Sequence, residues 1–207
     1  MKHNWNICSP DETIVDGLVK DLNANKLLCQ CLVNRGQEDI QSAKRFMSPK
    51  LADLSPPELI PNLSDAVFRL FASRHKKEKV VVFGDYDVDG ITSTAILLDS
   101  MGELGWNISS YLPDRMDDGY GLTSGGVKNC IDKHSPHLII AADCGSTSVK
   151  VIRELNDQAI DVIVLDHHQI SDPPPEPYAL VNPNIGLREG GLLSDLCTAG
   201  LAFKLVH

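Results

Sequence analysis

An apolar run that ends in three aspartates at alternate positions is the feature that most constrains this chain. Residues 80–83 are three valines and a phenylalanine, which predicts a fully buried strand. Asp85, Asp87 and Asp89 follow the run, and residues 91–98 predict a helix. Because three carboxylates at a strand end repel one another, a divalent cation with oxygen ligands is the simplest partner. A solvated acidic turn is the alternative.

The spacing of these aspartates, with Gly90 directly after them, also matches the opening of an EF-hand calcium loop. That loop requires a bidentate glutamate at its twelfth position and a helix before its first position. The twelfth position here is Ile96, and the preceding residues predict a strand. We therefore reject the EF-hand interpretation.

Strand and helix patterns alternate along most of the chain. Four further apolar runs predict strands, at residues 107–112, 137–142, 160–165 and 178–181. Helices are predicted around them, at residues 63–75, 91–104, 123–134 and 146–156, with Ser146 or Thr147 able to cap the last of these. Nearly continuous apolar strands alternating with helices predict an α/β fold, a parallel five-stranded sheet with helices on both faces.

A small helical segment is predicted ahead of the sheet, over residues 1–62. Helical patterns at residues 23–33 and 37–47 end at glycine and proline, whereas Asp16–Gly17 indicates a break closer to the N-terminus. We therefore divide the chain into this helical segment and an α/β domain over residues 63–207.

The composition is that of a globular protein of the cytoplasm. Of 207 residues, 43% are hydrophobic, and no run of eighteen apolar residues predicts a membrane span. The N-terminus lacks the pattern of a signal peptide, so the six scattered cysteines are expected to be reduced thiols. The net charge of −9 argues against non-specific binding of nucleic acid, which relies on Lys and Arg neutralising phosphates.

Acidic or histidine residues follow three of the predicted strands, and they are Asp85, Asp87 and Asp89, then Asp143, then Asp166, His167 and His168. Because the carboxyl ends of parallel strands lie at one edge of a sheet, we expect these residues to converge. Carboxylates with one or two histidines suit Mn²⁺ or Mg²⁺ better than a structural zinc. Asp143 is placed to bridge two ions, which at roughly 3.5–4 Å apart would clamp a phosphate.

Three motifs in these clusters resemble the DHH phosphoesterase superfamily, and they are Gly-Asp-Tyr-Asp-Val-Asp-Gly (84–90), Ala-Asp-Cys-Gly (142–145) and Asp-His-His (166–168). The resemblance extends over most of the chain and is closer to the RecJ branch of single-strand-specific DNA exonucleases. It implies a metal-dependent phosphodiesterase that releases 5′-mononucleotides from the 5′ end of single-stranded DNA, in repair and recombination. We expect a monomer with no membrane association.

The resemblance also implies roles for individual residues. The expected ligands of one or two Mn²⁺ or Mg²⁺ ions are Asp87, Asp89, Asp143 and His167, with Asp85 as a further ligand or a support. Asp143 would be the bridging, catalytic carboxylate, and His168 would contact the scissile phosphate. Asp166 is expected to orient a histidine and Arg115 to contact a phosphate.

Two features depart from the family pattern. Members often carry a histidine at the position of Phe83, so one of two metal sites is expected to lack a ligand. The family also has a fourth acidic motif after the helix that begins near residue 195, a DHHA1 domain and an OB-type module that grips DNA. The chain is therefore expected to be a fragment with weak or no activity, and the basic surface is expected beyond residue 207.

Two alternatives stay open at this point. One is a phosphodiesterase that acts on short RNA or small phosphate esters, although such members usually show a different first motif. The other is a non-catalytic DHH scaffold, which would have lost metal ligands. The aspartates and both histidines of the three motifs are present here, which favours the enzyme.

Overall fold

The computed structural model describes residues 9, 11–114, 121–186 and 193–207. The chain divides into two compact units, Met1–Leu54 and Ser55–His207. The second unit includes a short 3₁₀ turn at Pro57–Leu59, which lies before the boundary at residue 62 that the sequence pattern predicts.

The described residues of the first unit form the α-helices α1 (Glu12–Leu22), α2 (Lys26–Val33) and α3 (Ile40–Met47). The carboxylate of Asp11 caps α1 by accepting a hydrogen bond from the Thr13 amide at 2.8 Å. Helix α1 then continues through Gly17, so the predicted break is wrong. Val15 and Leu18 are buried on either side of that glycine and hold the helix in the small core of this unit.

The second unit is built on five strands, β1 (Lys79–Gly84), β2 (Asn107–Tyr111), β3 (Leu138–Ala142), β4 (Asp161–Leu165) and β5 (Ala179–Val181). They lie in the order β2-β1-β3-β4-β5, and every neighbouring pair is parallel. The predicted parallel five-stranded sheet is confirmed. Because β1 lies between β2 and β3, the chain winds in opposite directions on the two sides of β1. This reversal creates the crevice in which ligands bind in open α/β sheets.

In the described part of this unit, the α-helices that cover the sheet are α4 (Leu63–His75), α5 (Val88–Glu103), α6 (Ser124–His134), α7 (Val149–Asp157) and α8 (Thr198–Val206). Helices α4, α5 and α8 pack on one face, and α6 and α7 pack on the other. Successive strand residues point to opposite faces, so Val80 and Val82 join the first core and Val81 and Phe83 join the second. Burial on both faces explains why this strand is apolar at consecutive positions.

The cysteines within the described ranges are free thiols, and they are Cys29, Cys31, Cys130, Cys144 and Cys197. Burial raises the pKa of the Cys130 thiol to about 12, so this thiol is unreactive at neutral pH. Among the described helices, none is long and apolar enough to cross a membrane.

Candidate metal centre

The loops after β1, β3 and β4 bring most of the predicted site residues together at the carboxyl edge of the sheet. Within the described ranges, two groups of side chains place their ligand atoms within 4.8 Å of one another. One group is Asp85, Asp87 and Asp143, and the other is Asp143, His167 and His168. Asp143 belongs to both groups, which is the placement required of a carboxylate that bridges two ions.

The loop between β1 and α5 fixes the first two aspartates. Asp87 caps α5, because its Oδ1 accepts a hydrogen bond from the Gly90 amide at 3.0 Å. Asp85 is fully buried, and its Oδ1 accepts from the Tyr86 amide at 2.8 Å. Its Oδ2 is buried with no hydrogen-bond partner in the part of the chain that the structure describes. Burial raises the pKa of Asp85, and the bond from Tyr86 only partly opposes this shift.

Asp143 lies in the turn after β3 and is only 1% exposed. Its backbone is left-handed, with φ of 65°, a conformation that Asp tolerates better than most residues. Its Oδ1 accepts a hydrogen bond from the Thr198 hydroxyl at 2.8 Å, whereas its buried Oδ2 has no partner among the described residues. Burial raises the pKa of Asp143 to about 7; the Thr198 bond opposes this rise, and the charges of Asp89 and Asp87 add to it.

These two carboxylates provide the test of whether a metal ion fits. A buried ionised oxygen without a partner is costly, and the described residues place two of them at one sheet edge, on Asp85 and Asp143. A divalent cation would satisfy both oxygens. The surrounding donors are carboxylates and imidazoles, a set that suits Mn²⁺ or Mg²⁺, so the residues present fit such an ion.

Asp89 belongs to neither group, because the start of helix α8 holds its side chain. Its Oδ2 accepts from the Thr198 amide at 2.8 Å and its Oδ1 from the Ala199 amide at 2.9 Å. Burial alone would raise the pKa of Asp89, but these two hydrogen bonds lower it overall. His167 Nε2 lies 3.7 Å from Asp89 Oδ2, so Asp89 borders the centre, and its role as a ligand stays a prediction.

Asp166 contacts His168 at the end of β4. Its Oδ1 pairs with His168 Nδ1 at 2.7 Å and also accepts from the His168 amide at 3.1 Å. Its Oδ2 accepts from the Ser146 amide at 3.0 Å. Partial burial lowers the pKa of His168, but the hydrogen bond and charge of Asp166 raise it overall. This arrangement keeps the His168 ring in one orientation and favours its protonated form.

The segment after β5 fixes the backbone of both histidines, a contribution that sequence reasoning missed. The buried Asn182 donates from Nδ2 to the His168 carbonyl and to Ser146 Oγ, both at 2.9 Å. Asn184 donates from Nδ2 to the His167 carbonyl at 2.9 Å. The signal was present in the sequence, since these asparagines follow a predicted strand of the same parallel sheet and therefore lie at the same edge.

The predicted cap at Ser146 or Thr147 is wrong, since α7 begins at Val149. Ser146 is buried, and its amide and hydroxyl bond to Asp166 and Asn182 instead of to the helix. The local pattern of a helix cap therefore belongs to a tertiary hydrogen-bond network that supports the histidines.

Phe83 adds no ligand to the centre. The Phe83 ring is fully buried in the core beneath α6 and α7, where it stacks on Tyr111 with ring centroids 5.3 Å apart. It offers no atom to the first group, which relies on three aspartates. Arg115, the predicted phosphate contact, lies outside the described residues.

A cleft of about 410 Å³ opens beside the centre. Asp143 and His168 line it together with residues of the loops that precede α6 and α7, among them Leu122 and Ser148. A substrate in this cleft would therefore meet the shared carboxylate of the two groups and the histidine that Asp166 orients.

Asn182→Ala is expected to destabilise the chain by about 1–3 kcal/mol, because the His168 carbonyl and the Ser146 hydroxyl would lose their buried donor. Urea unfolding would measure this loss. Asn156→Ala is the matched control, since the exposed Asn156 also donates from Nδ2 to a carbonyl, that of Glu176, at 2.9 Å. It should change stability by less than about 0.5 kcal/mol. Equal effects of the two substitutions would contradict the buried role of Asn182.

The fold and the centre together define the class of this protein. Residues 79–207 match the DHH family, N-terminal domain, and the chain belongs to that family. It is 32% identical to the single-stranded-DNA-specific exonuclease RecJ of Bacillus subtilis (strain 168) over 209 residues, which covers 100% of this chain and 26% of that protein. It is 34% identical to RecJ of Escherichia coli (strain K12) over 182 residues, or 87% of this chain and 30% of that protein.

Solved structures show the same similarity. The crystal structure of RecJ from Thermus thermophilus in complex with Mn²⁺ superposes with a TM-score of 0.74 and 27% identity, over 95% of this chain and 27% of that one. A crystal structure of exonuclease RecJ bound to manganese gives a TM-score of 0.65 and 31% identity, over 74% of this chain and 38% of that one. The chain therefore spans 26–38% of the length of the proteins that it resembles.

Proposed function

We propose that this chain is the DHH domain of a metal-dependent exonuclease that digests single-stranded DNA from its 5′ end, in repair and recombination. The observation that carries the proposal is the pair of buried oxygens, Asp85 Oδ2 and Asp143 Oδ2, that lack partners within the described ranges. They belong to a donor set that suits a divalent ion. The similarity to RecJ exonucleases, two of them solved with manganese, supports the substrate class.

The proposed ligands of Mn²⁺ or Mg²⁺ are Asp85, Asp87, Asp89, Asp143 and His167. When bound, such an ion supplies Lewis-acid activation of a phosphate and of water. The presence of Asp143 in both groups of side chains is compatible with two ions, whereas the buried ring of Phe83 leaves one group without an imidazole. One ion or two is therefore a question of measured stoichiometry.

His168 is proposed to contact the scissile phosphate and to hold a proton there. Asp166 engages Nδ1, so Nε2 is the ring nitrogen that remains for a substrate. The raised pKa of His168 favours the imidazolium, which attracts a phosphate oxygen and can donate a proton to a leaving oxygen. The side chain is 45% exposed and lines the cleft, so substrate can reach it.

Single-stranded DNA as the substrate is proposed for the whole protein that contains this domain. The chain has a net charge of −9, so it offers little electrostatic attraction to phosphates beyond the metal centre. Arg115 is the proposed additional phosphate contact. The cytoplasmic location, the monomeric state and the weak activity of the isolated chain stay predictions.

A chimaera tests the proposal. This chain would replace the aligned quarter of Bacillus subtilis RecJ, whose match covers the whole chain. We expect the chimaera to release mononucleotides from a 3′-labelled single strand in Mn²⁺, to spare duplex DNA, and to stop in EDTA. A chimaera that binds Mn²⁺ yet leaves single-stranded DNA intact would refute the proposed substrate, and digestion of short RNA in its place would favour the alternative phosphodiesterase.

Calorimetric titration of the 207-residue chain with Mn²⁺ would give the number of ions bound. The Mn²⁺ affinity from the same titration is the reference value for variants at Thr198, Asp143 and Gly90.

A further inference from the structure

We propose that the start of helix α8 positions the metal centre and that Thr198 is its principal positioning residue. This role rests on the metal-dependent function proposed above. Thr198 is fully buried and contacts two acidic residues that belong to different elements. Its hydroxyl donates to Asp143 Oδ1 at 2.8 Å, after β3, and its amide donates to Asp89 Oδ2 at 2.8 Å, in the first turn of α5.

The Thr198 hydroxyl fixes the orientation of the Asp143 carboxylate, whose Oδ1 also lies 3.5 Å from His167 Nε2. It occupies Oδ1, whereas Oδ2 is buried and has no hydrogen-bond partner among the residues that the structure describes. Without this bond the carboxylate could rotate about its Cβ–Cγ bond, and either oxygen could turn toward the centre. The hydrogen bond therefore holds the carboxylate with Oδ1 toward His167 and with Oδ2 buried and free of a protein partner among the described residues.

The backbone amides of α8 act in the same way on Asp89. The Thr198 and Ala199 amides bond to its two oxygens, at 2.8 and 2.9 Å, and leave a further lone pair on each oxygen. The positive end of the helix also stabilises the negative charge of this carboxylate. Asp89 is thus held ionised and in one orientation, with its Oδ2 3.7 Å from His167 Nε2.

Helix α8 is able to position these groups because it is itself anchored in the core. Leu201 and Ala202 are fully buried and belong to the cluster that α5 shares. Further along the helix, the buried Lys204 donates from Nζ to the Ser55 carbonyl at 2.5 Å. A displacement of α8 would therefore break core packing before it could release Thr198 from the two carboxylates.

Thr198→Val tests this role, because valine keeps the shape and the backbone amide but lacks the hydroxyl. We expect Mn²⁺ affinity, measured by calorimetry on the full 207-residue chain, to fall about 10-fold or more, since loss of a residue that orients a metal ligand costs about 10–100-fold. Thr198→Ser restores the hydroxyl and is expected to stay within about 3-fold of the unmodified chain. Thr92→Val is the matched control, because the Thr92 hydroxyl bonds only to carbonyls of its own helix in the described structure.

The outcomes separate this inference from the proposed function. If Thr198→Val binds Mn²⁺ as tightly as the unmodified chain, the positioning role is wrong and the metal centre stands. If serine restores the unfolding temperature but not the affinity, Thr198 is structural only, and the role is equally wrong. If the unmodified chain binds no Mn²⁺, the metal-dependent function fails and this role fails with it. Should valine prevent folding, Thr198→Ala provides the same comparison with serine.

Discussion

Asp143→Asn is expected to weaken Mn²⁺ binding by about 100-fold or more while leaving the metal-free chain at least as stable. Asparagine keeps one carbonyl oxygen, which can still accept the Thr198 hydroxyl that Oδ1 accepts now. It also tolerates the left-handed backbone at this position, where φ is 65°. The substitution removes the negative charge and replaces Oδ2, the oxygen that has no hydrogen-bond partner within the described ranges.

The change in stability depends on pH, and its direction follows from the pKa. Folding raises the pKa of Asp143 from 3.8 to about 7, mainly because burial disfavours the charged form. The fold therefore accommodates the protonated carboxyl better than the ionised one. The stability that the protonated group contributes is lost as pH rises from the pKa of the unfolded state to that of the folded state. The unmodified, metal-free chain should lose stability from this group between about pH 4 and pH 7. Asparagine has no such titration.

Urea unfolding in EDTA at pH 5 and at pH 8 measures this difference. At pH 8 the asparagine variant is expected to exceed the unmodified chain by on the order of 2 kcal/mol, and at pH 5 by less. Mn²⁺ affinity of the unmodified chain should rise with pH up to about 7 and level off above it, because the ion competes with the proton on Asp143. The Mn²⁺ affinity of the asparagine variant should lack this dependence on pH.

Asp132→Asn is the matched control, since Asp132 is an exposed aspartate on α6 that pairs with Lys128 at 2.9 Å. It should leave Mn²⁺ affinity unchanged and alter stability by less than about 0.5 kcal/mol. An Asp143→Asn chain with normal Mn²⁺ affinity, or with lower stability at pH 8, would contradict the account of a buried carboxylate held ready for a cation.

The predictable part of this molecule is the part that depends on local pattern. The consecutive valines before Asp85 predict a strand buried on both faces, and β1 is such a strand. The alternation of strands with helices then predicts a parallel sheet, whose geometry places every strand end at one edge. From this alone Asp143 could be expected to meet both Asp85 and His167, although they are far apart in the chain.

The contacts that could not be predicted join elements whose relative position the sequence pattern does not determine. Thr198 reaches Asp143 across 55 positions, and nothing in the residues around Thr198 shows which helix start faces which strand end. Ser146 illustrates the converse case. Its type and position suit a helix cap, but the buried side chains of Asp166 and Asn182 offered it stronger partners. At Ser146, local propensity lost to tertiary hydrogen bonding.

Gly90→Ala, which adds one methyl group to the first motif, is expected to reduce the stability of the fold strongly. A Cβ atom at Gly90 would lie 2.4 Å from the Asp85 carbonyl oxygen and 2.7 Å from the Asp85 amide nitrogen, both of them backbone atoms. Backbone cannot rotate out of the way as a side chain can, so the loop between β1 and α5 must shift. We expect a loss of about 2–3 kcal/mol in the free energy of unfolding.

The same shift should weaken metal binding, because the Gly90 amide is the donor that holds Asp87 Oδ1 at 3.0 Å. Urea unfolding and Mn²⁺ calorimetry on one preparation would measure both effects. We expect Mn²⁺ affinity to fall about 10-fold or more, as for the loss of other groups that orient a metal ligand.

Gly102→Ala in the same helix provides the control. A Cβ atom there would have no heavy atom of the described structure outside its own helix turn within 4 Å, and alanine is the better helix former by about 0.5–1 kcal/mol. Gly102→Ala should therefore stabilise the chain, whereas Gly90→Ala destabilises it, although both substitutions add one methyl group to α5. If both variants gained stability, the close approach of Gly90 to Asp85 could not be what fixes the aspartates.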